Sequence, residues 1–530
     1  MEYDLLIKNG FIVDGSGNPG FYGDVLVSDA RIVKVASNID VKAKKVIDAD
    51  ENLVCPGFID PHVHEELTVL ETQKFAEFLK QGVTTTVNCN CGHSITPYST
   101  ENVFNYMYNN GLLSGRARNE LLAKVPVWNN FTEFKDNLSS KGMNINMGFL
   151  LGHGTIRWSV MGGSKDREPT TDEYKKMKEL IAEGMEQGCL GMSTGLSYIP
   201  GKFAETAELI ELSRTVAEYD GIYASHIRYH IGELEAVKEV IEISKSSGVR
   251  AQVSHLTPTV PEAFSEILNA RNNGLEIAVD TIPRSSGHLK RKDRMIQFIM
   301  SAAPELFGKG IEGVNEAMKT SEGREIILSA IRFKDNLLVV KTGDKNLDGR
   351  YIKDIAEERN MDPDELLLEF LASDNDELTF WQGGLNREDF PGTPYDERIL
   401  NNPLLMVGSD RIFGEPSDPE AWYELFRKGA FPIYFKLLSE GGIRLEEIVR
   451  RVTSLPAQQF RLSDRGLLTA GKYADISIID IDNYRYPSDD EIDYSDPLTM
   501  AEGVQYVVVN GEVVLEGNEV GSSYPGIVLT

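Results

Sequence analysis

Two hydrophobic patterns alternate through the middle of this chain. Short, nearly unbroken apolar runs occupy residues 54–59, 82–87, 147–151, 189–192, 221–224, 250–253, 275–279 and 404–407. Between them lie longer stretches with helical spacing of apolar positions, among them 72–80, 171–187, 204–219, 231–247 and 260–273. A strand with one wet face alternates apolar and polar residues, whereas a strand covered on both faces reads as a continuous apolar run. Eight covered strands, each followed by a helix long enough for a crossover, predict an α/β fold of the TIM-type (β/α)8 barrel class.

The two ends obey a different rule. Residues 4–8, 11–14, 24–28 and 31–36 read as short strands divided by turn signals such as Asn9-Gly10 and Gly15-Ser16-Gly17-Asn18-Pro19-Gly20, and 473–480 and 506–514 repeat that style. Neither end alone has enough strands to bury a face. They are expected to pair into one small β-sandwich built from residues 1–55 and 466–530, with the barrel spanning 56–465. The interval from Asp280 to Leu404 exceeds an ordinary barrel connection and contains helix-like pieces at 291–303 and 321–334. A helical lid over 284–350, covering the barrel mouth, is the expectation.

Composition narrows the partners. The 530 residues carry a formal charge of −28, which would repel phosphate backbones and anionic lipid surfaces. No nucleic acid and no membrane partner is expected. The start has no basic segment leading into an apolar core, and no run approaches about 18 uncharged apolar residues, so a soluble cytoplasmic protein is expected. Four cysteines, Cys55, Cys89, Cys91 and Cys189, are too few to staple so long a chain and suit packing, metal binding or catalysis. Oligomeric state is not specified by these features.

The residues just past each apolar run carry the chemistry. Asp60, His62 and His64 come after the first, Cys91 after the second, His153 after the third, His226 after the fifth, His255 after the sixth, Asp280 after the seventh and Asp410 after the eighth. The carboxyl ends of barrel strands open on one face, so these side chains converge from distant parts of the chain. Taken singly, a histidine beyond a strand is more often a packed, hydrogen-bonded side chain. Taken together, imidazoles, a thiolate and carboxylates are the donors zinc prefers, with room for two ions about 3.5 Å apart. His62 and His64 lie two apart on an extended segment and so share a face. Cys89 has the same parity as Cys91, and spacing alone does not choose between them.

The ordered motifs resemble the amidohydrolase superfamily and, within it, the N-acyl-D-amino-acid deacylase (D-aminoacylase) family. They are Val54-Cys55-Pro56-Gly57-Phe58-Ile59-Asp60-Pro61-His62-Val63-His64, Gly82-Val83-Thr84-Thr85, Asn90-Cys91-Gly92, Gly152-His153-Gly154-Thr155, Ser193-Thr194-Gly195-Leu196, His226-Ile227-Arg228, Ser254-His255 and Gly408-Ser409-Asp410. The resemblance implies one zinc held firmly by Cys91, His226 and His255, and a second, weaker position at His62, His64 and Asp410. It also selects Cys91 over Cys89. Much of the superfamily bridges two metals with a carboxylated lysine on the fourth strand, and Gly191-Met192-Ser193-Thr194 has none, consistent with a bridging thiolate.

The match fails where substrate is held. The family's lysine two places after the sixth-strand histidine is Thr257 here, its tyrosine soon after the seventh-strand aspartate is absent from Asp280-Thr281-Ile282-Pro283, and its His-Pro-Arg segment is replaced by Arg411-Ile412-Phe413-Gly414-Glu415-Pro416. Arg228, Arg284 and Arg411 are candidate replacements, because a guanidinium grips a carboxylate through paired hydrogen bonds. Tyr198 matches a family tyrosine near the site, and His153 is placed with the substrate-side residues. The expected activity is zinc-dependent hydrolysis of a linear amide in a small N-acyl compound, most plausibly an N-acyl-D-amino acid, with Asp410 as acid and base. A cyclic-amide hydrolase of the hydantoinase or dihydroorotase kind is the alternative, and a non-catalytic scaffold on the same fold ranks below both.

Overall fold

The computed structural model describes residues 3–530 apart from 111, 114, 284–287, 293–294, 297–298, 301–309, 332–336, 376–377, 383–395, 413–428, 488–490 and 492–499. At its centre Phe58–Asp60 runs parallel to Val83–Asn88, which runs parallel to Asn146–Phe149. The third strand breaks at Leu150 and resumes as Leu151–Gly152, the edge of a parallel ladder continuing through Gly191–Gly195, Ile222–His226, Arg250–Val253, Ile277–Thr281 and Leu405–Val407. Eighth and first strands meet at the mouth, where Arg411–Ile412 pairs in parallel with Val63–His64 and the Asp410 N–H donates to the His62 carbonyl at 2.8 Å. The ring of eight is the barrel that the alternating pattern predicts.

Strands and helices form where burial and capping chemistry favour them. Every described residue of the five central ladder strands after the third is buried, which is why their sequences lack alternation. The crossover Thr171–Glu186 starts in a reciprocal cap between Thr170 and Glu173 and turns Met177, Leu180, Ile181, Gly184 and Met185 inward, a three-and-four spacing that lines one helix face.

The first apolar run is two strands rather than one. Leu53–Pro56 pairs with Tyr3–Ile12 and with Ile476–Ile479 of the terminal sheet, while Phe58–Asp60 enters the barrel. Gly57 marks the handover: a Cβ there would lie 2.2 Å from Thr84 Oγ1, so only glycine lets the backbones approach this closely.

Both chain ends do share one sheet. Its strands run in the order Glu519–Val520, Glu512–Glu516, Val504–Val509, Ile476–Ile479, Leu53–Pro56, Tyr3–Ile12, Phe21–Ser28 and Arg31–Ala36, with Ala43–Asp48 also on Tyr3–Ile12. The ladder is continuous because Tyr3–Ile12 pairs with Ala43–Asp48 along its first part and with Leu53–Pro56 at its end. Leu5, Ile7, Val25, Val27, Ile476 and Ile478 form the core it wraps.

The insertion after the seventh strand is not purely helical, and it extends past residue 350. Strands His288–Arg291, Leu337–Lys341, Arg350–Tyr351 and Thr379–Gln382 make an antiparallel sheet, accompanied by helices Gly310–Ala317, Ser321–Ala330, Ile352–Glu358 and Pro363–Ala372. Of the expected helix at 291–303, Arg291 ends a strand, Lys292, Met295, Ile296, Ile299 and Met300 are helical, and the rest lies outside the described residues. The apolar run Leu337-Leu338-Val339-Val340 is short and β-branched, a strand signal hidden in a region judged by its helical pieces. Val314, Ile327, Val339, Ile355, Leu366 and Phe380 give the insertion its own core, which also takes in Ile199 of the fourth barrel loop. No described helix is long and apolar enough to cross a membrane.

A buried polar knot ties the terminal sheet to the barrel. Asp475 contacts Arg465 closely and accepts from the Asn510 N–H at 2.8 Å and from Asn146 Nδ2, on the third barrel strand, at 3.2 Å. The Arg465 guanidinium also lies over the Tyr473 ring, 4.3 Å from its centroid. Removing one partner of such a pair leaves a buried charge unmatched. Asp475→Ala is therefore expected to lower unfolding free energy by about 3–5 kcal/mol, measured by urea denaturation; an unchanged midpoint would refute this role.

Candidate metal centre and active site

The donors stand just past the strands that carry them. His62 follows Phe58–Asp60, Cys91 follows Val83–Asn88, His226 ends Ile222–His226, His255 follows Arg250–Val253 and Asp410 follows Leu405–Val407. Cys91, His255 and Asp410 each adopt a left-handed backbone, with φ of 52°, 36° and 48°. Such a conformation is unfavourable for residues with a Cβ and persists where surrounding contacts enforce it. Here they do: the His255 N–H donates to Asp280 Oδ1 at 2.8 Å, and the Asp410 N–H to the His62 carbonyl. Gly408 lies against both, since a Cβ on it would fall 2.6 Å from Asp280 Oδ1 and 2.8 Å from the His62 Cβ.

These turns bring ligand atoms from six residues close together. Cys91 Sγ lies 3.4 Å from His62 Nε2, 3.7 Å from His226 Nδ1 and 3.4 Å from His255 Nε2, and the last two nitrogens are 2.8 Å apart. Asp410 Oδ1 is 3.5 Å from His62 Nε2 and 3.3 Å from His64 Nε2. Ligand atoms of His62, Cys91, His255 and Asp410 all fall within 4.8 Å of one another. Lone pairs gathered this closely in a buried pocket repel unless a proton or a cation lies between them, and the S, N and O donor set suits zinc.

The electrostatics support the same reading. Burial, reinforced by neighbouring His255, pushes His62 and His226 well below the usual imidazole range, keeping them neutral as ligation requires. Burial opposes ionisation of Cys91, yet His255 and His64 outweigh it and draw the thiol below its ordinary range. His255 moves the other way: burial would lower it, but Cys91, Asp410 and Asp280 together raise it to about 9. Each draws its shift from the other's charge, so the two titrate as a coupled pair, and metal binding would compete with the proton between them.

Other expected site residues fall in different places. The Tyr198 ring packs on His226 with centroids 4.4 Å apart. His153, expected on the substrate side, turns its Nε2 to Glu208 Oε1 at 2.8 Å, and Glu208 also accepts from Arg157 Nε at 3.0 Å, all of them buried. Arg228 turns to Glu239, 3.1 Å away, and to the carbonyls of Lys202 and Ala204. Arg411 reaches Glu65 and Glu77. Arg284 lies outside the described residues.

Two further residues support the donors. Tyr229 lays its ring nearly parallel to His255, 15° between planes, and its hydroxyl donates to the His255 carbonyl at 3.1 Å. Asp280 accepts from Gln252 Nε2 at 2.7 Å and faces His62 Nδ1 at 3.8 Å. Asp280 was visible as a strand-end carboxylate; Tyr229, three places beyond His226, carried no signal beyond proximity.

Residues 45–283 and 381–515 match the amidohydrolase family. The chain belongs to that family. It is 28% identical over 535 residues to a D-aminoacylase of Alcaligenes xylosoxydans xylosoxydans, covering 99% of this chain and 97% of that one. The structure of an N-acyl-D-glutamate deacylase from Bordetella bronchiseptica, complexed with zinc and a phosphonate mimic of the tetrahedral intermediate, superposes with a TM-score of 0.75 at 28% identity and complete coverage of both chains. A D-aminoacylase described as having a binuclear metal centre gives 0.74 at 25% identity, with 99% of each chain covered.

In this amidohydrolase Asp280 holds the His255 backbone N–H and faces His62 without being one of the cluster. Groups in that position typically change metal affinity by about 10–100-fold when removed. Asp280→Ala is expected to weaken zinc binding by about that factor in a chelator competition; unaltered affinity would show that His62 and His255 need no such support.

Proposed function

We propose that the chain hydrolyses the linear amide of N-acyl amino acids, N-acyl-D-amino acids first among them, with zinc held by Cys91, His226 and His255 and a weaker second position at His62, His64 and Asp410. The observation that carries this reading is the meeting of Cys91, His226, His255, His62 and Asp410 at one barrel mouth. Near-complete coverage of relatives named as D-aminoacylase and N-acyl-D-glutamate deacylase supports the substrate class.

Zinc in such a site supplies positive charge that activates water near neutral pH and offsets charge developing on a carbonyl oxygen. The protein's part is proton handling and orientation. Asp410 keeps a carboxylate oxygen beside His62 and His64, and its side chain retains 13% exposure, so it can meet an incoming amide. From there it takes a proton from attacking water and returns it to the departing nitrogen, and the C–N bond breaks without a covalent intermediate. In this reading Tyr198, whose ring packs on His226, donates to the substrate's carbonyl or carboxylate.

Turnover of N-acetyl-D-amino acids over their L forms and over hydantoins is the expected outcome of assays on zinc-loaded protein; hydrolysis of hydantoins alone would reject the proposal. Asp410→Asn is expected to lower turnover by about 10²–10⁴-fold while elemental analysis still finds zinc. Near-wild-type rates in that variant would remove Asp410 as the proton carrier.

A further inference from the structure

More carboxylates crowd the mouth of this barrel than the donor cluster uses. Glu65 and Glu66, the two residues after His64, are completely buried. A carboxylate withdrawn from water at this depth needs a positive partner. Arg411 Nη1 stands 3.1 Å from Glu65 Oε1 and closer still to Glu77, and the guanidinium lies over the Phe78 ring, 5.1 Å from its centroid. Two carboxylates meet the same nitrogen, so charge rather than an aligned hydrogen bond holds the contact.

The backbone of the same residue is spliced into the donor cluster. Arg411 follows Asp410 directly and pairs with Val63, the residue between His62 and His64. Three of the cluster's side chains therefore hang from two short segments, and the Arg411 side chain anchors one of them to the Glu65 end of the other. A clamp for a substrate carboxylate would present its guanidinium to the cavity, whereas this guanidinium contacts Glu65, Glu77 and the Phe78 ring. We infer that Arg411 is a positioning residue that, through Glu65 and Glu77, fixes His64 and Asp410 for proton transfer, and that it does not bind the substrate carboxylate. The inference rests on the amide-hydrolase reading above. Its physical content is that Asp410, held at φ 48°, would relax toward a commoner backbone if this anchor were cut.

The test compares zinc-loaded wild type with Arg411→Met, Arg411→Lys and Glu65→Gln on an N-acetyl-D-amino acid and on the matching N-acetyl amine that lacks the carboxylate. The expected result is a fall in kcat of about tenfold or more for Arg411→Met and Glu65→Gln, equal on both substrates, with KM within about twofold of wild type. Combining the two substitutions should add little, because they remove one interaction. Arg411→Lys keeps the charge and should recover part of the rate. A rise in KM confined to the carboxylate-bearing substrate, with kcat unchanged, would make Arg411 the clamp and overturn the inference.

Cobalt(II) bound in place of zinc gives a readout independent of turnover. Its visible absorption bands should shift in the same direction in Arg411→Met and Glu65→Gln, and unchanged bands in both would also overturn the inference. Wild-type protein that hydrolyses neither substrate would instead count against the functional reading, with the cobalt spectra still deciding the role of Arg411. If Arg411→Met does not fold, the same kinetic and spectral comparison is made on Arg411→Lys and Glu65→Gln.

Discussion

The seam between first and eighth barrel strands is the constraint on which the site depends. Asp60, fully buried, accepts from the backbone N–H of His62 at 3.1 Å and of Ser409 at 3.2 Å, so one carboxylate spans the seam. Burial raises its carboxyl to about 7 despite those donors. Just beyond, the Asp410 N–H closes onto the His62 carbonyl. If the seam opened, His62 and His64, which stay with the strand leading to Cys91, would part from Asp410 on the far side, and neither half would retain a complete donor set.

Around that seam the architecture divides its labour. The central strands supply a rigid, fully buried ring, and the donors lie in the first residues after it, where backbone strain can be imposed without loosening the core. Supporting groups then fix the donors: Asp280 behind His62 and His255, Tyr229 along the His255 ring, Glu65 and Arg411 beside the paired segments Val63–His64 and Arg411–Ile412. The terminal sheet locks onto the third strand through Asp475, Asn510 and Asn146, away from the chemistry.

How far each feature was legible in the sequence depends on how local its cause is. Covered parallel strands leave continuous apolar runs, so the barrel could be counted, and the candidate donors sit directly after those runs. Pro56-Gly57 splits the first run because of a close approach to Thr84, which depends on a residue 27 positions away and leaves no periodic trace. The sheet in the insertion was obscured by the helices around it. Side-chain partnership was the least readable property of all. His153 and Arg228 lie beside the right strands, yet Glu208 and Glu239, from later helices, claim them. A sequence shows that a cation stands near a site; which carboxylate reaches it first is decided by packing.

The central claim is that a thiolate and imidazoles from separate barrel strands share one zinc. X-ray absorption at the zinc edge of the loaded protein reads those ligands directly. The account predicts a single sulfur scatterer at about 2.3 Å with nitrogen or oxygen neighbours at about 2.0–2.1 Å, the sulfur shell vanishing in Cys91→Ala. A zinc shell of nitrogen and oxygen alone in the wild-type protein would contradict it.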